Sequence, residues 1–391
     1  MKKIIMFEGD IETQGYFSLQ MKKQFEADGY EVLMYNFEKE GNSLSKMLRF
    51  VERGNTVMIS FNFHGLTESE YMRDEEGNWF WDDMGIPCIN IVVDHPYYYY
   101  KFLKIVPENY WHISIDYNHD RFMQRFFPEI RRGPVLPLGG TKLPDEELVP
   151  LLSRSMDICF TGNYTPPENF HQYMARQGKE YEEFYHGIID ELIAHPYRTI
   201  EDVCEEHILR EIPDISQEDL KETFSNLIFI DLYARFYYRG KVIAALADAG
   251  LKVHIFGDDW SRLSLKHPEN IIDHRPTDSY GCLKAIADSK ISVNVMPWFK
   301  DGAHDRIFNT MANGAICATD SSAFLDKLLI DGTNCLRYDL NDVDSLPERI
   351  EQLLSDPAKM EAISAAGYRL TMEGQTWAHR AETLRNLIES L

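Results

Sequence analysis

The chain is 391 residues long, more than one hydrophobic core ordinarily serves, so two domains are expected. Apolar residues make up 44% and charged residues 26%, a balance that excludes a disordered or fibrous chain. The formal net charge of −23 repels nucleic acid and anionic lipid, so neither is an expected partner, although a local basic pocket could still take a phosphate.

The six cysteines are scattered, with no Cys-x-x-Cys pair. Cys88, Cys159 and Cys317 sit in apolar runs, as buried thiols of a reducing compartment do, and no zinc site is suggested. The first apolar run ends at Glu8, too soon for a signal peptide or a membrane span, and no later run reaches spanning length. A soluble, cytoplasmic protein is expected.

The first third alternates short apolar runs with helical patterns. Strands are predicted at 3–7, 31–35, 56–61, 89–93, 112–116 and 135–138, and a helix at 17–28 ends at Gly29. Such alternation implies a parallel sheet with helices on both faces. Ligands bind beyond the carboxyl ends of such strands, where the chain carries Glu8, Asp10, His64, Asp94 and His95.

The Gly- and Pro-rich passage 133–140 and the acidic stretch after Pro144 read as a linker. Two further strands, 157–161 and 253–256, each run into a glycine, Gly162 and Gly257. Between them, about 168–235, lies a polar, helix-forming insertion suited to an acceptor lid or a partner surface. The expected division is an N-terminal domain 1–145, a C-terminal domain 146–374, and a terminal helix 375–391 that packs back on the first.

The most informative stretch is 301–320, which follows a strand at 291–296 and a Pro297-Trp298 loop. A polar loop enters a helix that stops at Asn313-Gly314, and a short strand then runs to Asp320. His304 and Arg306 flank the helix N-terminus, whose free N–H groups and partial positive charge suit phosphate. This segment, with 157–162 and 233–391, resembles the nucleotide-binding half of GT-B glycosyltransferases of group 1, nearest to the spore-maturation, CgeB-type branch.

The resemblance implies an α/β fold of two Rossmann-like domains facing across a cleft, with donor on the second and acceptor on the first. It implies a nucleoside-diphosphate sugar, UDP by default, as co-substrate, and neither cofactor nor metal. Retaining relatives place a glutamate where this chain has Asn309, which can still meet ribose hydroxyls but lacks the charge. The stereochemical outcome therefore stays open.

His304 and Arg306 are the diphosphate candidates, and Asn309 is either a ribose ligand or a helix-end residue. Gly162 and Gly257 allow close backbone approach. Arg239 either neutralises diphosphate or lies on a solvated helix face, and His274 and Arg275 either flank the base or lie in a surface loop. Asp320 either orients a phosphate ligand or, as its place before Ser321-Ser322 favours, caps the next helix. For acceptor deprotonation the choices are His64, Asp94 and Asp10, with Arg306 steadying the leaving phosphate.

These residues lead to a metal-independent hexosyltransferase acting on a glycan, glycolipid or protein acceptor. The alternatives are a catalytically silent sugar-nucleotide-binding protein and a GT-B-fold epimerase. A homodimer is compatible with the charge. Replacing Arg306 with alanine is expected to remove turnover and leave folding intact.

Overall fold

The computed structural model describes residues 1–67 and 72–391. The chain forms two compact units: residues 1–139 with 376–391, and residues 140–375.

The first unit holds a six-stranded, wholly parallel sheet. Its strands are β1 (Lys3–Glu8), β2 (Glu31–Asn36), β3 (Thr56–Phe61), β4 (Cys88–Val92), β5 (Tyr110–Ser114) and β6 (Arg131–Arg132), in the order β2-β1-β3-β4-β5-β6. β3 and β4 are buried along their whole length, as central parallel strands covered on both faces must be. The sixth strand lies upstream of the expected 135–138. That apolar run stays beside β5, where Leu136 N donates to Ser114 O at 2.8 Å, but the ladder pairs only Arg131 and Arg132.

The helix Glu12–Ala27 follows β1 and packs against the helix Trp377–Ser390. Trp377 lies 4.5 Å from Phe17, ring centre to ring centre, and Arg380 donates to the backbone oxygens of Pro137 and Leu138. Residues 376–391 are thus an integral part of the first unit.

The second unit carries a second parallel six-stranded sheet. Its strands are β7 (Met156–Thr161), β8 (Val253–Phe256), β9 (Ile271–Asp273), β10 (Ser289–Asn294), β11 (Ile316–Thr319) and β12 (Leu336–Arg337). They lie in the order β12-β11-β10-β7-β8-β9, so strand order reverses between β7 and β10. Ile158, Phe160, Val293 and Ile316 line its core with Val242 and Leu246.

The region between β7 and β8 is helical. After a single turn, His171–Met174, the helices Lys179–Ala194, Ile200–Glu211 and Gln217–Ser225 precede a long one, Ile228–Asp248, which continues unbroken past residue 235. Thr199 and Ser216 cap the second and third through Asp202 N and Asp219 N. Among the described residues no helix is long and apolar enough to cross a membrane.

Candidate functional site

Parallel sheets bind ligands where strand order reverses, beyond the carboxyl ends of the two diverging strands. In the second unit those ends are Thr161 and Asn294, and one side chain joins them. Arg306 Nε donates to Thr161 O at 2.8 Å and Nη1 donates to Asn294 Oδ1 at 2.9 Å. Asn294 is held for this by its own Nδ2, which donates to Thr319 Oγ1 at 3.0 Å. Nη2 has no protein partner among the described residues and sits where a Cβ on Gly162 would come within 3.1 Å. Glycine at 162 therefore leaves room beside the guanidinium, and its φ of +148° suits glycine.

Gly257 closes the same corner. A Cβ there would lie 2.1 Å from Gly162 O, so the exits of β7 and β8 can touch only because 257 is a glycine. Asn163 Oδ1 accepts from Asp258 N at 3.0 Å and fixes the turn.

A second buried cation comes from the helix Ile228–Asp248. Arg239 Nη1 donates to Asn163 O at 2.9 Å, while its buried Nε meets no acceptor. The Trp298 ring lies 5.2 Å from this guanidinium and 4.2 Å from that of Arg235, one helical turn earlier. Arg235 is paired with Asp231 at 3.1 Å. Burial, with Arg306 and Arg235 close by, pushes the Arg239 guanidinium well below its usual range. Arg306 is likewise lowered by burial, with Asp305 opposing. Two buried cations near enough for one to depress the other favour an anion beside them.

His304 begins the helix Asp305–Ala312. Its Nδ1 lies 2.8 Å from Asp305 Oδ1 and 3.2 Å from Arg306 N. Nδ1 accepts from Arg306 N and so caps the helix, with the Asp305 carboxylate beside it. Burial first, then Arg306, holds the ring at about 4, against the pull of Asp305. Burial thus favours the neutral ring of His304.

Asn309 is engaged within its own unit. Its Oδ1 accepts from Thr141 N at 2.7 Å and its Nδ2 donates to Asp305 Oδ2 at 2.8 Å. Asp320 does not cap a helix. Its Oδ1 accepts from Met296 N at 3.0 Å, its Oδ2 is buried without a partner, and Ser322 Oγ takes the nearby Leu325 N instead. Burial lifts the Asp320 carboxyl to about 7, with Lys300 and Arg306 opposing.

His274 is exposed, stacked at 4.5 Å on Phe256 and bonded to His254 at 2.9 Å. Arg275 is exposed with φ of 62°. Both lie just beyond β9.

The first unit repeats the logic at its own reversal point, between β1 and β3. Asp10 follows β1, His64 follows β3, and His64 Nε2 meets Asp10 Oδ2 at 3.0 Å. Burial lowers the His64 ring and the Asp10 carboxylate opposes it. Beyond β4, Asp94 Oδ2 accepts from Asn62 Nδ2 and Tyr99 Oη, each at 3.1 Å. Asn62 and Phe63 both take left-handed backbone angles, φ 45° and 67°, to turn the chain here.

Sequence reasoning missed Trp298, Arg235 and Asn294. Arg235 stands four residues before Arg239, on the same helix face, and that spacing was a usable signal. Trp298 and Asn294 carried none, because their roles come from neighbours distant in sequence. Among the described residues no group of three or more His, Cys, Asp or Glu is placed to hold a metal ion.

Residues 239–386 match the sequence model of the family described as Glycosyl transferase-like. No curated protein matches the chain by sequence. Among solved structures, an α-glucosyltransferase in complex with UDP and a 13-mer DNA superposes with a TM-score of 0.60 at 11% identity, covering 99% of each chain. A glycosyltransferase from Rickettsia africae gives 0.55 at 9% identity, covering 99% of this chain and 98% of that one. HepE of Anabaena, solved with UDP and glucose, gives 0.51 at 10% identity over the whole of both chains. The fold is GT-B. In this GT-B protein the matched segment, 239–386, contains Arg239, Gly257, Trp298, His304 and Arg306.

Proposed function

We propose that the protein transfers a hexose-type sugar from a nucleoside diphosphate, UDP by preference, to a glycan acceptor. The observation that carries this reading is the pair of buried guanidiniums, Arg306 and Arg239, each with an unused nitrogen at the reversal point of the second sheet. A diphosphate supplies the missing anion. As the bond between the sugar C1 and the β-phosphate oxygen breaks, charge grows on that oxygen. Fixed cations in a low-dielectric site stabilise it most at that moment. They supply the charge neutralisation without a divalent metal. The solved relatives crystallised with UDP support the choice of base.

Acceptor chemistry belongs to the first unit. In an inverting transfer the acceptor oxygen attacks C1 and His64 takes its proton. Asp10 accepts from Nε2–H and leaves the Nδ1 lone pair as the base. Asp94 is the second carboxylate available for the acceptor hydroxyls. In a retaining transfer the leaving phosphate takes the proton instead, and the internal bonding of Asn309 favours neither outcome. The net charge of −23 disfavours a nucleic-acid acceptor. The 301–320 segment keeps the CgeB-type branch as the nearest assignment within the glycosyltransferases.

Thermal unfolding against UDP-, GDP-, dTDP- and CDP-sugars, with and without chelator, tests the donor site. A ligand that binds only the folded state adds about 2.7 kcal/mol at a hundredfold excess over its Kd. A base-selective, chelator-insensitive rise is expected, followed by slow donor hydrolysis. No rise with any donor overturns the reading, and a rise without hydrolysis marks a silent binder.

A further inference from the structure

We infer that the helical region between β7 and β8 carries a second carbohydrate site, a groove that holds the acceptor chain away from the reacting sugar. The groove encloses about 1130 Å³, above the roughly 300–1,000 Å³ of pockets that take one small molecule, so it suits an extended chain. Its acceptor role rests on the transferase reading; its carbohydrate chemistry does not.

Four aromatic rings that line it are in successive contact. Tyr173 lies 6.1 Å from Phe229 at 19°, Phe229 lies 5.1 Å from Tyr185 at 88°, and Tyr185 lies 6.5 Å from Tyr181 at 40°. Tyr173 and Tyr181 are 39% and 50% exposed. An aromatic face is electron-rich and attracts the polarised C–H bonds on the flat face of a pyranose. The hydroxyls of Tyr173, Tyr181 and Tyr185 bond no protein group among the described residues, nor do the carboxylates of Glu180 and Glu211 that also line the groove. Arg176 lies 4.7 Å from the Tyr173 ring and adds donors beside these acceptors.

This mixture discriminates among occupants. The cores of protein–protein interfaces are depleted in Glu and other charged side chains, whereas here carboxylates share the lining with the rings. Nucleic acid is repelled by the same carboxylates. Neutral glycan uses both features, stacking on the rings and bonding its hydroxyls to the carboxylates and the guanidinium.

Native gel electrophoresis through dextran, amylopectin, galactomannan, arabinoxylan and glycol chitin tests the assignment. Slowed migration is expected in at least one gel, and a Tyr173→Ala/Tyr181→Ala double variant should weaken that retention at least fivefold. Both side chains are partly exposed, and the melting temperature of the variant checks that its fold is kept. A Glu180→Gln variant, which keeps the fold and the rings, should weaken retention in the same gel. No retention in any gel overturns the proposal in favour of a protein partner, and equal retention by the double variant overturns this groove. The donor-linked thermal shift is read on the same samples. Groove-dependent retention without a donor shift would sustain the carbohydrate site and sink the transferase reading; the opposite result would do the reverse.

Discussion

Replacing Arg306 with lysine separates anchoring from ligand contact. Arginine satisfies Thr161 O and Asn294 Oδ1 with Nε and Nη1 and still presents Nη2 beside Gly162. Lysine has one nitrogen, which can serve either the strand ends or the phosphate. The variant should keep the charge and the fold but lose one charge-assisted hydrogen bond to the leaving group. Such a bond is worth about 1.5–3 kcal/mol, which corresponds to roughly a ten- to hundred-and-fifty-fold fall in kcat/KM. Initial rates with the donor selected by thermal shift give the measurement, with urea unfolding as the control for folding. A kcat/KM within threefold of wild type would refute the assignment of Nη2 to the diphosphate. Alanine is the poorer test. It leaves Thr161 O and Asn294 Oδ1 buried without a donor, at about 1–3 kcal/mol each, so a fall in turnover would be mixed with a fall in stability.

Two further predictions concern polar groups beside the arginines. Asn309→Ala orphans Thr141 N and should lower unfolding stability by about 1–3 kcal/mol, read from urea midpoints; an unchanged midpoint would restore Asn309 to a pure ligand role. Asp320 has a folded-state value raised to about 7, so its neutral form is favoured in the fold. Its contribution is fully present below about pH 4 and is lost as pH rises through 7, each tenfold change in proton affinity being worth roughly 1.4 kcal/mol. Asp320→Asn should therefore raise stability at pH 8, where the carboxylate must ionise while buried, and change it little at pH 4. Equal effects of the substitution at both pH values would count against this.

Much of the architecture was legible because parallel strands buried on both faces are written as apolar runs. β3 and β4 were visible this way, and the polar residues just after them marked the ligand-binding edge. β6 was not, since it is two arginines at a sheet edge whose only strand signal is pairing with β5. Arg306 could be picked out from its place at a helix start, but its clamp across two strand ends could not, because Thr161 lies 145 residues away. The cap reading of Asp320 failed, and the protein partner of Asn309 went unseen, for the same reason. The partners that settle their geometry, Thr141 and Met296, are brought in by the fold rather than by the neighbouring sequence.

The division of the chain also bears on its synthesis. The second unit is one uninterrupted stretch, 140–375, while the first is made of two pieces, 1–139 and 376–391. At roughly 5–20 residues per second, a ribosome needs roughly ten to fifty seconds to pass from the first piece to the second. Throughout that interval the nascent first unit lacks Trp377, the ring that covers Phe17 and Phe61. The part translated earlier is therefore the part finished later, and a chaperone that shields emerging apolar surface has its natural client in residues 1–139.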